Sequence, residues 1–150
     1  HSLAPHDVSI IHYWLGTHQF KDIKHSGHKY SEYAQNDRDE FEFTCKNVPV
    51  KFNLSWYYPE KIRTTAIVGT KGMLFWDEEA KSITLTTNIW EDGRMNYEPT
   101  VEKFDVVSNP LRNELIEFVE CVDTGRAPVS DVDNAIDVAE NLDLLFNSIS

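Results

Sequence analysis

From residue 41 to about residue 90, apolar side chains recur at every second position. Phe41, Phe43 and Cys45 alternate with Glu42, Thr44 and Lys46, and Val48, Val50, Phe52, Leu54 and Trp56 alternate with Pro49, Lys51, Asn53, Ser55 and Tyr57. Successive side chains of a strand point to opposite faces, so this pattern predicts strands with one buried and one polar face. Residues 62–69 and 73–76 form a further pair around Gly69-Thr70-Lys71-Gly72, and Ile83, Leu85, Thr87 and Ile89 add another strand. Parallel neighbours need a crossover of a dozen or more residues, and these linkers are too short for one. The strands must therefore run antiparallel. Pro49 has no N–H to donate and belongs at a strand start or an edge.

Helical signals lie on both sides of this region. Residues 7–15 read as a short helix closed by Gly16, followed by a polar stretch over 17–40 with one strand within 20–30. Asn109-Pro110 supplies a cap and a first helical residue, after which Leu111, Leu115, Phe118, Val119 and Val122 share a face and Gly125 ends the run. Ser130 is expected to open the last helix, with Asp131 and Asp133 in its first turn and Val132, Ile136, Ala139, Leu142, Phe146 and Ile149 as its buried stripe. The layout is α+β: one domain over residues 1–150, with an open, mostly antiparallel sheet and helices packed on one face. The other face carries Tyr57, Ile67 and Trp90 among Thr, Lys and Asn. Two readings stand for it, a solvated face or one that pairs with a second copy.

Composition narrows the function classes. With 41% hydrophobic and 26% charged residues the chain is globular, and a domain of 150 residues buries about 68–70% of its unfolded surface. A net charge of −11 repels phosphate backbones and anionic lipid, so neither nucleic acid nor membrane is an expected partner. No apolar run is long enough to span a bilayer, and no leader is visible. Cys45 and Cys121 read as reduced thiols of a cytoplasmic protein. The sequence opens on His1-Ser2 without an initiator Met, which leads us to expect a processed or truncated piece.

Few residues carry a chemical signal. His6 follows Pro5 at a helix start, where backbone N–H groups make a potential that disfavours imidazolium. Such a histidine suits a general base taking a hydroxyl proton, and it equally suits a capping or packing role. His1, His6, His12, His18, His25 and His28 crowd the first fifth of the chain. His6 and His12 are six residues apart and do not share a helix face, so solvated surface histidines are expected rather than a metal site. Gly69-Thr70-Lys71-Gly72 is too short for a phosphate loop and reads as a hairpin. Lys61 and Arg63 follow Trp56-Tyr57-Tyr58-Pro59 with the same parity. They suit a phosphate or carboxylate, or a cationic rim paired with Glu60 or other nearby acids. No Gly-x-Gly-x-x-Gly occurs anywhere, so nothing in these residues points to dinucleotide binding.

Four stretches taken together resemble the C-terminal domain of the Gfo/Idh/MocA family of NAD(P)-dependent oxidoreductases. They are LAPHDVSIIHYWLG at 3–16, SWYYPEKIRTTAIVGTKGMLFWD at 55–77, NPLRNELIEFVECVDTGRAPVSD at 109–131, and the helix that follows. The resemblance implies a substrate-binding and oligomerisation domain whose open sheet face builds a homodimer or tetramer. It also implies a partner Rossmann domain, missing from this chain, that holds NAD or NADP, so the chain alone should bind no cofactor tightly and be inactive by itself. His6 falls on the family's catalytic histidine. Ser2 stands where the family has an Asp, and Ser2, Lys61 and Arg63 are the expected substrate-binding residues. LAPHD looks most like dehydrogenases of nucleotide-activated amino sugars, which implies a sugar or nucleotide-sugar alcohol as substrate. The alternative is a non-enzymatic scaffold that kept the fold and lost catalysis.

Overall fold

The computed structural model describes residues 4–17, 19–32, 36–87, 89–95, 100–105 and 109–147, with backbone only at 90–91. The chain divides into two compact units, residues 1–57 with 118–150 and residues 58–117.

In the first unit, helix α1 (Ala4–Leu15) precedes strands β1 (Lys21–His28), β2 (Arg38–Cys45) and β3 (Val48–Ser55), which pair antiparallel in the order β1-β2-β3. The alternation read from the sequence is the observed one: Asp39, Phe41, Phe43 and Cys45 are buried. Glu42 lies opposite Lys51 in the register, and the two form an ion pair at 2.9 Å on the polar face. Pro49 is the second residue of the edge strand β3.

Helix α3 (Val132–Asn147) packs with α1, and the unit's core is Val8, Ile11, Phe20, Phe41, Phe43, Cys45, Phe52, Val138 and Leu145. Each Val, Ile, Leu or Phe side chain among them contributes about 1.5–3 kcal/mol on full burial. Phe20 stacks on Phe43 at 4.1 Å, and Phe41 meets Phe146 edge-on at 5.1 Å.

Two details of α3 differ from expectation. Asp131 caps it, accepting the Asn134 N–H at 2.9 Å, so the helix opens one residue after the predicted Ser130. A carboxylate there also suits the helix dipole. Its buried face is Val138, Asn141 and Leu145, joined by the half-buried Leu142 and Phe146, whereas Val132 and Ile136 are exposed. Ile149 lies outside the described residues.

The second unit is built on a four-stranded antiparallel sheet, β4 (Thr64–Gly69), β5 (Gly72–Asp77), β6 (Ser82–Thr87) and, after the short pair β7 (Trp90–Glu91) and β8 (Arg94–Met95), β9 (Thr100–Asp105), in the order β4-β5-β6-β9. Thr70 and Lys71 form the β4–β5 turn, with Gly69 paired to Gly72. Among the described residues every strand pair is antiparallel, and the α+β class is the expected one. Helix α2 (Pro110–Thr124) straddles the two units. Asn109 caps it through the Arg112 N–H at 3.1 Å, and Gly125, at φ +68°, ends it by donating to the Cys121 carbonyl at 2.9 Å. Its apolar face is exposed at Leu111, Leu115, Phe118, Val119 and Val122.

Candidate functional site

Helix α1 begins at Ala4, so His6 sits inside the first turn rather than ahead of it, next to the first-turn Asp7. Ala4 and Val8 anchor this end by full burial, while the His6 side chain stays exposed. An exposed imidazole on a helix end anchored by buried side chains is well placed to meet a ligand from solvent. Ser2 lies outside the described residues. Lys61 and Arg63 belong to the second unit and His6 to the first.

Lys61 and Arg63 converge on one carboxylate. Lys61 Nζ donates to Glu78 at 2.8 Å and pairs with Glu79 at 2.8 Å, and Arg63 Nη1 reaches Glu78 at 3.3 Å. The Glu78 carboxyl is held below its ordinary range by the Lys61 hydrogen bond, against the effect of burial, with Arg63 adding to it. The Lys61 ammonium is correspondingly pushed up by Glu78 and Glu79. Their common parity is therefore real, and their nearest anions are the chain's own.

The histidines divide in a way that composition does not reveal. His12 is buried between Asn141 and the edge of the Phe20 ring, and the His25 side chain is also buried, so neither is the solvated histidine expected. His25 Nε2 lies 2.7 Å from Asp39 Oδ1, its ring stacks on Phe41 at 4.5 Å, and Asn36 Nδ2 donates to the same Asp39 oxygen at 2.7 Å. This pairing across β1 and β2 was missed because fourteen residues and a loop separate its partners. His1 and His18 lie outside the described residues. Among the described residues, no group of three or more His, Cys, Asp or Glu comes together to hold a metal ion.

A groove of about 780 Å³ runs along α3 and the α1–β1 connection, lined by Thr17, Gln19, Asp137, Glu140 and Asp143 among others. Its carboxylates repel anionic ligands, and it includes none of His6, Lys61 or Arg63. Cys45 is buried and Cys121 half-buried, both as free thiols, and burial pushes the Cys45 thiol up. Among the described residues no helix is long and apolar enough to cross a membrane.

The family model described as "Oxidoreductase family, C-terminal alpha/beta domain" of the Gfo/Idh/MocA group matches residues 2–150. The chain belongs to that family. Its fold is similar to UDP-N-acetylglucosamine 3-dehydrogenase GnnA from Acidithiobacillus ferrooxidans, with a TM-score of 0.79 at 15% identity over 95% of this chain and 45% of that one. It is also similar to the dehydrogenase MviM from Clostridium difficile, with a TM-score of 0.70 at 13% identity over 97% of this chain and 46% of that one. Biliverdin reductase from Synechocystis sp. PCC 6803, solved with biliverdin and NADP+, gives a TM-score of 0.66 at 14% identity over 96% of this chain and 44% of that one. At these identities the likeness is one of fold, and the chain spans less than half the length of each of these neighbours. Among the curated proteins compared, none matches.

Members of the Gfo/Idh/MocA family are NAD(P)-dependent oxidoreductases, and a Rossmann fold holds that cofactor at a glycine-rich turn leading from a parallel strand into a helix N-terminus. Among the described residues all pairing is antiparallel and the sequence lacks the glycine fingerprint, so these residues do not supply that Rossmann turn.

Proposed function

We propose that this domain is the substrate-binding and assembly half of an NAD(P)-dependent oxidoreductase acting on a sugar or nucleotide-sugar alcohol. The family match over residues 2–150 carries this reading, and the fold likeness to a nucleotide-sugar dehydrogenase supports the substrate class. The nucleotide-binding Rossmann half is a separate stretch of polypeptide, a reading supported by the lack of a glycine fingerprint in these residues. His6 accepts or orients the proton of the substrate hydroxyl, and Ser2, Lys61 and Arg63 contribute to substrate binding. For Lys61 and Arg63 this requires the substrate's anionic group to displace or share Glu78.

Assembly into a dimer or tetramer runs through the sheet face of the second unit. The β4–β9 register puts Ile67, Leu74, Trp76, Ile83, Leu85 and Phe104 on one face and Val68, Met73, Phe75 and Val101 on the other. A sheet apolar on both faces needs cover on both, which a second copy of the chain can supply on one of them.

Two experiments test the proposal. Calorimetric titration of the 150-residue chain with NAD+ should find no micromolar binding, and micromolar affinity would contradict the assignment of the cofactor to another stretch. With the domain joined to its nucleotide-binding half, His6→Gln should lower kcat/KM by about 10²-fold or more. Full turnover in that variant would remove His6 from the proton transfer, and no turnover in the unsubstituted joined protein would favour the scaffold reading of this domain.

A further inference from the structure

At the loop end of the β1–β2 pair, aromatic side chains collect on the surface instead of in the core. Tyr30 is 57% exposed, Trp56 60% and Tyr57 54%. The His28 and Tyr30 rings lie 15° from parallel with centroids 6.3 Å apart, and Tyr57 leans against Tyr30 at 5.2 Å and 51°. All of these residues lie within the first unit.

One buried residue fixes this cluster. Asp37, 5% exposed, accepts the N–H groups of Tyr30 at 2.7 Å and Ser31 at 2.6 Å, and the Ser31 hydroxyl at 2.8 Å. Its own N–H donates to the His28 carbonyl at 2.9 Å, and its carbonyl accepts the Trp56 N–H at 3.0 Å. The Tyr57 N–H is held by Ser55 Oγ at 3.1 Å. The segments bearing His28, Tyr30 and Tyr57 are thus tied to a single side chain and its peptide groups. Rings pre-positioned in this way do not lose backbone freedom on binding.

Exposed aromatic clusters mark binding surfaces, and this geometry selects among occupants. A flat ring takes advantage of near-parallel faces such as His28 and Tyr30, with Tyr57 closing one side, and offset stacking is the favoured arrangement for such rings. We propose that the His28–Tyr30–Tyr57 cluster is a stacking site for the base of a nucleotide-linked substrate. This deepens the reading of the domain as a nucleotide-sugar binder and rests on it. It assigns the base to a place that none of the sequence-predicted site residues touches.

The test uses the 150-residue chain titrated with uridine, adenosine and ribose, followed by intrinsic fluorescence and tyrosine ring NMR. The two nucleosides should bind saturably, with Kd on the order of millimolar, and ribose should not. Tyr30→Ala and Tyr57→Ala should each weaken nucleoside binding about tenfold, while Tyr30→Phe keeps it. Ribose binding as tightly as uridine would overturn the proposal. So would unchanged nucleoside affinity in both alanine variants with native circular dichroism. A fall in oligomer mass in Tyr30→Ala by light scattering, without loss of a nucleoside signal, would assign the cluster to a second copy of the chain instead. In the joined protein, unchanged KM for a nucleotide sugar in both alanine variants would count against this site alone. Intact nucleoside binding with no turnover would count against the oxidoreductase reading alone.

Discussion

Asn141 on α3 donates its Nδ2 to Nε2 of His12 on α1 at 3.0 Å, and both side chains are buried. The amide's orientation is fixed independently. Oδ1 accepts the Phe20 N–H at 2.8 Å, and Nδ2 also donates to the Asp137 carbonyl at 3.2 Å. Nε2 of His12 must therefore act as acceptor, which places the ring proton on Nδ1. Imidazole nitrogen shifts near neutral pH should report that tautomer, and a protonated Nε2 would refute the arrangement. Asn141→Ala strands the Phe20 N–H and the His12 acceptor in the core, at about 2–4 kcal/mol of stability. Urea denaturation against the unsubstituted chain measures it.

Asp37 gives the first unit an acid-sensitive clamp. Burial raises its pKa, but the Ser31 and Tyr30 N–H groups, the Ser31 hydroxyl and Lys29 outweigh that and hold it below the ordinary 3.8. A carboxyl depressed in the folded state stabilises above its unfolded value and loses that contribution as pH falls through the folded one. The difference in stability between the unsubstituted chain and Asp37→Asn should accordingly be constant above about pH 5 and shrink below about pH 4. A pH-independent difference would show that the carboxylate charge is not what the loop holds.

Glu78 is expected to matter little for stability and more for ligands. Its pairs with Lys61 and Arg63 are substantially exposed, so Glu78→Gln should shift stability by less than about 1 kcal/mol. The same variant removes the carboxylate that Lys61 and Arg63 share and leaves Lys61 paired with Glu79 alone. In the joined protein it should lower KM for an anionic substrate, whereas Lys61→Ala with Arg63→Ala should raise it about tenfold. If neither variant moves KM, these residues are a structural rim.

Gly27 lies opposite Asp39, under the Asn36 side chain, and a Cβ there would collide with the Asn36 amide. Asn36 is the far end of a movable side chain, so Gly27→Ala should fold but push it off Asp39, losing the bond it makes there. The cost should be about 1 kcal/mol, and Gly27→Ala combined with Asn36→Ala should be no worse than Asn36→Ala alone. Additive losses in that cycle would point to backbone strain.

The helix stops, the start of α2 and the strands β1 to β6 were legible because local chemistry sets them, whereas β9 was not read and α1 opens three residues earlier than expected. Asn109-Pro110 starts α2, and Gly16 and Gly125 adopt φ of +78° and +68° where helices finish. The buried face of α3 was misjudged because Asn141 is polar. Hydropathy excludes it from a core stripe, while its hydrogen bonds to α1 and Phe20 draw it in. β7 and β8 are two residues each, too short for periodicity, yet Asp92-Gly93 between them carried the hairpin signal, with φ of +48° and +76°. The histidines split for a similar reason. His25 finds Asp39 only once β1 and β2 are in register, and nothing local to either residue announces the other. Lys61 and Arg63 could be placed on one side from parity, but the acids that meet them lie beyond β4 and β5.

The β4–β5 hairpin separates two glycines that look equivalent in the sequence. A Cβ added at Gly69 would meet only the Gly72 carbonyl at 3.8 Å, an ordinary contact. One added at Gly72 would collide with the backbone carbonyl of Thr86 on β6, the neighbouring strand. Backbone cannot swing away as a side chain can, so relief requires β5 and β6 to separate or slip in register. A slip by one residue would turn Leu74 and Trp76 to the opposite face. Gly69→Ala should therefore be within about 0.5 kcal/mol of the unsubstituted chain, and Gly72→Ala should lose about 2 kcal/mol or more. Amide exchange should localise the Gly72→Ala damage to β5 and β6. Equal tolerance at the two positions would mean that the Gly72–Thr87 register is wrong.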